Sequence, residues 1–375
     1  MIDAGGQNLV FLLSTPRAGS TLVSAILTNH SRVYCPNEPW LLLGFQAWYQ
    51  GGNLTFAPYE HSGVETALRE FLSETEFQEA TRAFALAAYN RKLAAQGKSV
   101  FVDKTPRYYH ILPFLEALFP QARKVWLQRN PLDVAASYQT SWQLSVDQLF
   151  DPQFGPMCLD LTVGLSRLAA FFQGQPRTFE LRYEDLVQQP EVVLPKLCAF
   201  LGLDYEPGME HYGSNASALA ERQRGRMGDS NVFAHAQPHP QSIDRWQTAL
   251  TAAQIQRMLD CTGTRFLDRM GYRETITQLH QRGFRIPDNH AVEENLRLFE
   301  DSARSLPWAG REQRQLQALC DELRTERDRL TAECQRLAQP RRGRRAGRGG
   351  PEGIRREGIL QHLARWWRQT RGRIT

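Results

Sequence analysis

Residues Asn8–Asn29, NLVFLLSTPRAGSTLVSAILTN, restrict the fold more than any other stretch of this chain. Asn8–Ser14 is a nearly continuous apolar run, the pattern of a parallel strand buried on both faces. Thr15–Gly19 reads as a turn, with a Pro to fix φ and a Gly for close approach. From Ser20 onward Leu22, Ala25 and Ile26 recur at helical spacing. A strand, a tight turn and a helix N-terminus in that order make an anion site, because the turn's N–H groups converge and the helix dipole adds partial positive charge. The cradle is Arg17, Ala18, Gly19, Ser20 and Thr21, with side-chain donors from Arg17, Ser20 and Thr21. An ordinary strand-to-helix turn has the same local pattern. A Walker A loop requires GxxxxGK[ST]; here Ser14 stands at the first Gly and Ser20 at the Lys, which argues against an ATP or GTP loop.

Downstream, four more short apolar segments alternate with helical patterns: Arg32–Cys35, Ser99–Asp103, Lys124–Gln128 and Phe179–Arg182. The alternation predicts an α/β fold with a mostly parallel sheet flanked by helices. Helices are expected over Glu65–Gln96, Tyr108–Phe119, Pro131 to about Ser141, Glu191–Leu201 and Thr251–Met270. Ligands of such sheets bind at the carboxyl ends of the strands. Three charged residues fall there: Lys104 after the third strand, Arg129 after the fourth, and Glu38 on a loop stiffened by Pro36 and Pro39. Glu38 alone reads equally as a solvated loop carboxylate. Residues 41–62 are aromatic and Gly-rich (Phe45, Trp48, Tyr49, Phe56, Tyr59), a composition that suits a substrate lid or core packing. Residues 204–245 read as a long functional or mobile loop.

The globular part is expected to span residues 1–275, with a helical connector over 276–310. No apolar run approaches the ~20 residues that span a bilayer. The first residues have neither a basic region nor an apolar run of signal-peptide length. Six scattered cysteines without a CxxC pair fit a reduced, cytoplasmic protein and give no structural zinc pattern. The net charge of +5 belongs to the end of the chain: residues 340–375 hold eleven Arg against two Glu, so the remainder carries a net −4.

Five strings, in order, resemble the P-loop-like sulfotransferases that use 3′-phosphoadenosine 5′-phosphosulfate (PAPS), in motif style nearest to bacterial and protein-tyrosine members. PRAGSTL at 16–22 is similar to the family's 5′-phosphosulfate loop, and RNPLDVAAS at 129–137 to its 3′-phosphate motif. DKTPRY at 103–108, RYEDL at 182–186 and SIDRW at 242–246 resemble further segments, and the likeness covers about residues 8–272. It implies that Arg129 and Ser137 hold the 3′-phosphate and that Tyr183 contacts the adenosine side. A planar guanidinium suits phosphate oxygens, and with Arg and Lys supplying the charge no metal is required.

The implied reaction is in-line sulfuryl transfer to an acceptor hydroxyl. Lys104 and Arg17 would neutralise the leaving phosphate. Many relatives use a His after the equivalent of the third strand, but no His precedes His110 here. Protein-tyrosine and some bacterial members instead place a Glu about twenty residues past the loop Arg. The likeness therefore assigns Glu38 as general base. A carbohydrate or glycolipid acceptor comes first and a peptidyl tyrosine second; a nucleotide-dependent kinase and a non-catalytic nucleotide-binding scaffold are the other readings.

The C-terminal third differs. Leu316, Leu323, Leu330 and Leu337 repeat every seven residues, a short coiled-coil seam over 311–339 that would make a homodimer, although Cys320, Arg327 and Cys334 are poor core fillers. A solvent-facing helix packed on the domain fits the same spacing. Gln339–Pro351 is expected to be disordered. Ile359, Leu363, Trp366 and Trp367 then form an apolar face beside Arg365, Arg368, Arg371 and Arg373, the pattern of an interfacial helix on anionic lipid, which would place the protein peripherally at a membrane surface. Nucleic acid is the less favoured partner for that pattern, and a disordered solubilising tail has the same composition.

Overall fold

Five strands form one parallel sheet: β1 (Leu9–Leu13), β2 (Val33–Tyr34), β3 (Val100–Asp103), β4 (Arg123–Gln128) and β5 (Thr178–Arg182). Their order is β2-β3-β1-β4-β5. β1 is central, with Phe11 opposite Asp103 on one side and Leu13 opposite Trp126 on the other. This is a computed structural model, and it describes residues 1–49, 61–152, 154, 156–214, 232, 235–305 and 329. Phe56 and Tyr59 of the expected lid, most of 215–234, the leucine heptads of 316–337 and the basic tail of 340–375 lie outside the described residues.

All five expected strands are present, and their uninterrupted apolarity has a direct cause. Both faces of the sheet are covered. Leu9, Phe11 and Leu13 pack into one apolar cluster and Val10 and Leu12 into a second on the opposite face. α1 (Ser20–Asn29) lies against the second cluster through Leu22, Val23 and Ile26. α2 (Leu41–Tyr49) follows β2.

The long helix expected from Glu65 is two helices, α3 (His61–Phe71) and α4 (Glu74–Gln96). The break is chemical: Ser73 caps α4, its Oγ accepting from the Glu76 N–H while the Glu76 carboxylate accepts from the Ser73 N–H. Residues 106–110 form a 3₁₀ turn before α5 (Leu112–Leu118), where one helix was expected. The helix after β4 is regular only over α6 (Pro131–Ser137); Tyr138–Trp142 widens into a π turn, a distortion that recurs at functional sites.

α7 (Val163–Phe171) precedes β5, and α8 (Tyr183–Gln188) and α9 (Pro190–Leu201) follow it. The helix expected over Thr251–Met270 is divided at Gly263 into α10 (Ala252–Thr262) and α11 (Arg265–Arg269). α12 (Arg273–Gln281) and α13 (Asn289–Ser305) occupy most of the 276–310 segment, and they bury Leu279, Val292, Leu296, Phe299 and Ala303. Met1–Gln315 forms one compact unit.

Candidate functional site

The turn after β1 is built from two left-handed residues. Arg17 has φ 66° and Gly19 φ 100°. Gly19 is required there twice over, since a Cβ would lie 2.5 Å from Cδ2 of Tyr183. The bare backbone lets the Tyr183 ring close against the turn, and α1 then starts at Ser20 with its N-terminal amides directed at the strand ends. Arg17 Nε donates to Ser137 Oγ at 3.1 Å, which links the first loop to the end of α6. Its guanidinium also sits 5.4 Å from the ring centroid of Trp142.

Arg129, at the carboxyl end of β4, crosses to the same place. Its Nη1 donates to the Arg17 carbonyl at 3.0 Å and its Nη2 to the Ser242 carbonyl at 2.8 Å. The guanidinium lies 4.5 Å from the Tyr183 ring centroid. Its Nε is buried without a protein partner. Asp133, one helical turn on, holds the 242–246 segment by accepting from the backbone N–H groups of Asp244 and Trp246, both at 2.9 Å. Burial pushes the Asp133 carboxyl up to about 6, against those two hydrogen bonds and the nearby Arg129.

Arg17, Gly19, Arg129, Ser137 and Tyr183 thus line a single cavity of about 540 Å³, within the ~300–1,000 Å³ usual for small-molecule sites. Ala18, Ser20 and Thr21 complete the turn but are buried behind that wall. Residues not singled out from the sequence also line the cavity, namely Tyr212, His235, Pro238, His239 and Gln241, together with Arg245 of the 242–246 string. The rings of His235 and His239 are 3.9 Å apart, and His239 is pushed below the ordinary histidine value by burial and by His235. The only sequence signal for them is the reading of 204–245 as a long functional or mobile loop.

Glu38 and Lys104 form a separate pair. Lys104 Nζ, fully buried, donates to Glu38 Oε1 at 2.9 Å. Neither lines the described cavity; they sit at the end of β3, the strand beside β1. The second carboxylate oxygen, Oε2, accepts from the indole Nε1–H of Trp40 at 3.1 Å. Behind the pair, Asp103 is wholly buried and accepts from Tyr89, Tyr108 and Thr105 hydroxyls. Its carboxyl is pushed up to about 6 by burial.

A parallel sheet ordered 2-3-1-4-5, with a tight turn and a helix start after its central strand, defines the P-loop-like α/β class. Within that class the chain belongs to the sulfotransferase family, whose family model matches residues 10–207. A curated relative, the nodulation protein NoeE of Sinorhizobium fredii, is 30% identical over 310 residues, covering 78% of this chain and 72% of its own. A putative protein-tyrosine sulfotransferase of Caenorhabditis briggsae is 25% identical over 218 residues, covering 55% of this chain and 69% of its own. Among solved structures, the sulfotransferase domain of the Synechococcus PCC 7002 olefin synthase is 25% identical, covers 67% of this chain and 92% of its own, and has a TM-score of 0.45. No described helix is long and apolar enough to cross a membrane.

Proposed function

We propose that the protein transfers the sulfuryl group of PAPS to an acceptor hydroxyl, giving 3′,5′-ADP and a sulfate ester. One observation carries this reading: Arg17 and Gly19 of the first loop and Arg129, Ser137 and Tyr183 of the later motifs line one cavity. A donor with a phosphosulfate at one end and a 3′-phosphate at the other needs two such cationic places. The residues fit it. Gly19 lets the Tyr183 ring close against the turn, so that both line the same cavity, and the buried Arg129 Nε is a donor without a protein acceptor.

PAPS supplies an activated sulfuryl group on a phosphate leaving group. The protein supplies the rest. The turn at 17–21 and α1 cradle the 5′ end, and Arg129 with Ser137 the 3′ end. Glu38 takes the acceptor hydroxyl's proton as its oxygen bonds to sulfur and the bridging S–O bond breaks. Once protonated, Glu38 no longer holds the charge of Lys104, so the Lys104 ammonium can answer the negative charge that develops on the leaving oxygen. Arg17 faces the same charge.

A carbohydrate or glycolipid is the first acceptor in this reading, because the Arg- and Trp-rich segment 358–375 would hold the enzyme at an anionic lipid surface. A peptidyl tyrosine comes second, supported by the likeness to protein-tyrosine sulfotransferases from Caenorhabditis briggsae and Gallus gallus. The leucine heptads of 316–337 give a homodimer in the same reading. Turnover of labelled PAPS with a panel of sugar and tyrosine acceptors tests the activity. Arg17→Ala and Arg129→Ala should each weaken 3′,5′-ADP binding in calorimetry. Glu38→Gln should lower turnover ~10²–10⁴-fold, about 3–5 kcal/mol of barrier, with nucleotide affinity near normal. Activity within about tenfold of wild type rules Glu38 out as the base. ATP binding with no PAPS binding would favour a kinase.

A further inference from the structure

Trp40 stands in an unusual backbone state. Its φ is 54°, a left-handed conformation that a bulky residue rarely adopts and that surrounding contacts must hold. Two contacts hold it. Its backbone N–H points at Thr105 Oγ1 at 3.4 Å, and the Thr105 hydroxyl donates onward to Asp103 at 3.0 Å. Two residues later the Leu42 N–H donates to the Tyr108 hydroxyl at 3.2 Å, which itself donates to Asp103 at 3.0 Å. The start of α2 is thereby anchored on one buried carboxylate at the end of β3. The left-handed residue turns the indole back over the preceding loop, where Nε1–H meets Glu38 Oε2 at 3.1 Å.

We propose that Trp40 is a positioning residue for the reaction, fixing the Glu38 carboxylate so that its remaining lone pairs face the acceptor hydroxyl. This rests on the reading of Glu38 as the general base. An ionised carboxylate offers about four lone-pair sites over two oxygens. Lys104 occupies one on Oε1 and Trp40 one on Oε2. With a donor on each oxygen, the carboxyl group cannot rotate about its Cγ–Cδ bond without losing one of them. Lys104 alone, a flexible-stemmed ammonium with three N–H donors, could follow the carboxylate as it turned. An indole N–H donates only and does not titrate in water, so Trp40 can orient the base and can never take the proton itself. Asp103 and Thr105 act one step further back, by holding the backbone that aims the indole.

The test is Trp40→Phe, which keeps an aromatic ring and removes the donor, measured in the wild-type and Glu38→Gln backgrounds with labelled PAPS. The expected result is a fall in kcat of about 10- to 100-fold, with KM for PAPS and 3′,5′-ADP affinity within about twofold. In the Glu38→Gln background the same change should have no further effect, because a residue that acts through Glu38 has nothing left to orient. Thr105→Val should reproduce part of the kcat loss and also vanish in that background. Two results overturn the proposal. One is a Trp40→Phe enzyme within threefold of wild type. The other is a loss that adds in full to Glu38→Gln or that appears in nucleotide affinity, which is the behaviour of a residue needed only for folding. An active Glu38→Gln enzyme instead removes the base reading itself.

Discussion

Gly19→Ala is the sharpest test of how the first loop and the later motifs depend on each other. The added Cβ meets Tyr183 Cδ2 at 2.5 Å and Cε2 at 2.7 Å, about 1 Å inside ordinary contact. Tyr183 cannot swing away freely. It is 6% exposed, and the Arg129 guanidinium lies over its ring at 4.5 Å. The backbone resists as well, since φ is 100° at this residue, which costs an L side chain about 1–2 kcal/mol. Relieving the overlap adds about 1–3 kcal/mol, so ~2–5 kcal/mol of stability is lost. Because the ring that must move supports Arg129, 3′,5′-ADP affinity should fall at least ~10-fold, equal to 1.4 kcal/mol. Urea titration and calorimetry read the two effects. Gly44→Ala is the control: that glycine lies in α2 with nothing within 4 Å of an added Cβ, and it should be neutral or stabilising by about 0.5–1 kcal/mol. A Gly19→Ala protein of wild-type stability and nucleotide affinity would refute the idea that the loop and Tyr183 are packed into one site.

Arg129→Lys keeps the charge but cannot reproduce the fork that reaches the Arg17 and Ser242 carbonyls; calorimetry should show 3′,5′-ADP binding at least ~10-fold weaker, and hydrogen exchange at 242–246 should speed up. Asp133→Ala leaves the Asp244 and Trp246 N–H groups without their acceptor, at a cost of about 2–4 kcal/mol in chemical denaturation. Asp103 has an opposite sign of pH dependence from the usual carboxylate: burial raises it from 3.8 to about 6, so the folded state keeps a proton that the unfolded chain has released, and this group's contribution to stability falls as pH rises from about 4 to 6. Relative to Asp103→Asn, the wild type should lose up to ~1.4 kcal/mol per pH unit across that window. His110 runs the other way, held down to about 3 by burial and by Arg167 and Arg107; the unfolded chain takes up its proton below about 6.5, so His110→Gln should flatten the loss of stability as pH drops from 6.5 towards 3.

The heptads and the basic tail carry two expectations of their own. Light scattering on residues 1–315 against the full chain should read monomer against dimer. Liposome co-sedimentation with and without residues 352–375 should show binding only with the tail, and equal pelleting would remove the membrane reading.

Much of the fold is legible in the chain because burial on both faces of a sheet leaves a local mark. Val10, Leu12, Val100, Val102, Val125 and Leu127 read as strand without any knowledge of their neighbours. The turn at Thr15–Gly19 is equally local, since a residue such as Gly19 at φ 100° and a helix start need only a few adjacent residues. The break at Ser73 was also local: the Ser-x-x-Glu cap is written in the sequence, but the helical periodicity running across it masked the signal. What depends on strand order is a different matter. Arg17 and Arg129 are 112 residues apart, and they meet because β4 pairs directly with β1. Asp133 grips Asp244 and Trp246, and His235 and His239 reach the cavity wall, only because the chain returns over the carboxyl ends of the strands. The same holds for Glu38: periodicity and spacing place it on a stiff loop, while its two donors come from a left-handed tryptophan and from the end of a strand paired to β1. Period and turn chemistry record how a residue meets its sequence neighbours and the solvent; which distant group it faces is decided by packing, which leaves no period to read.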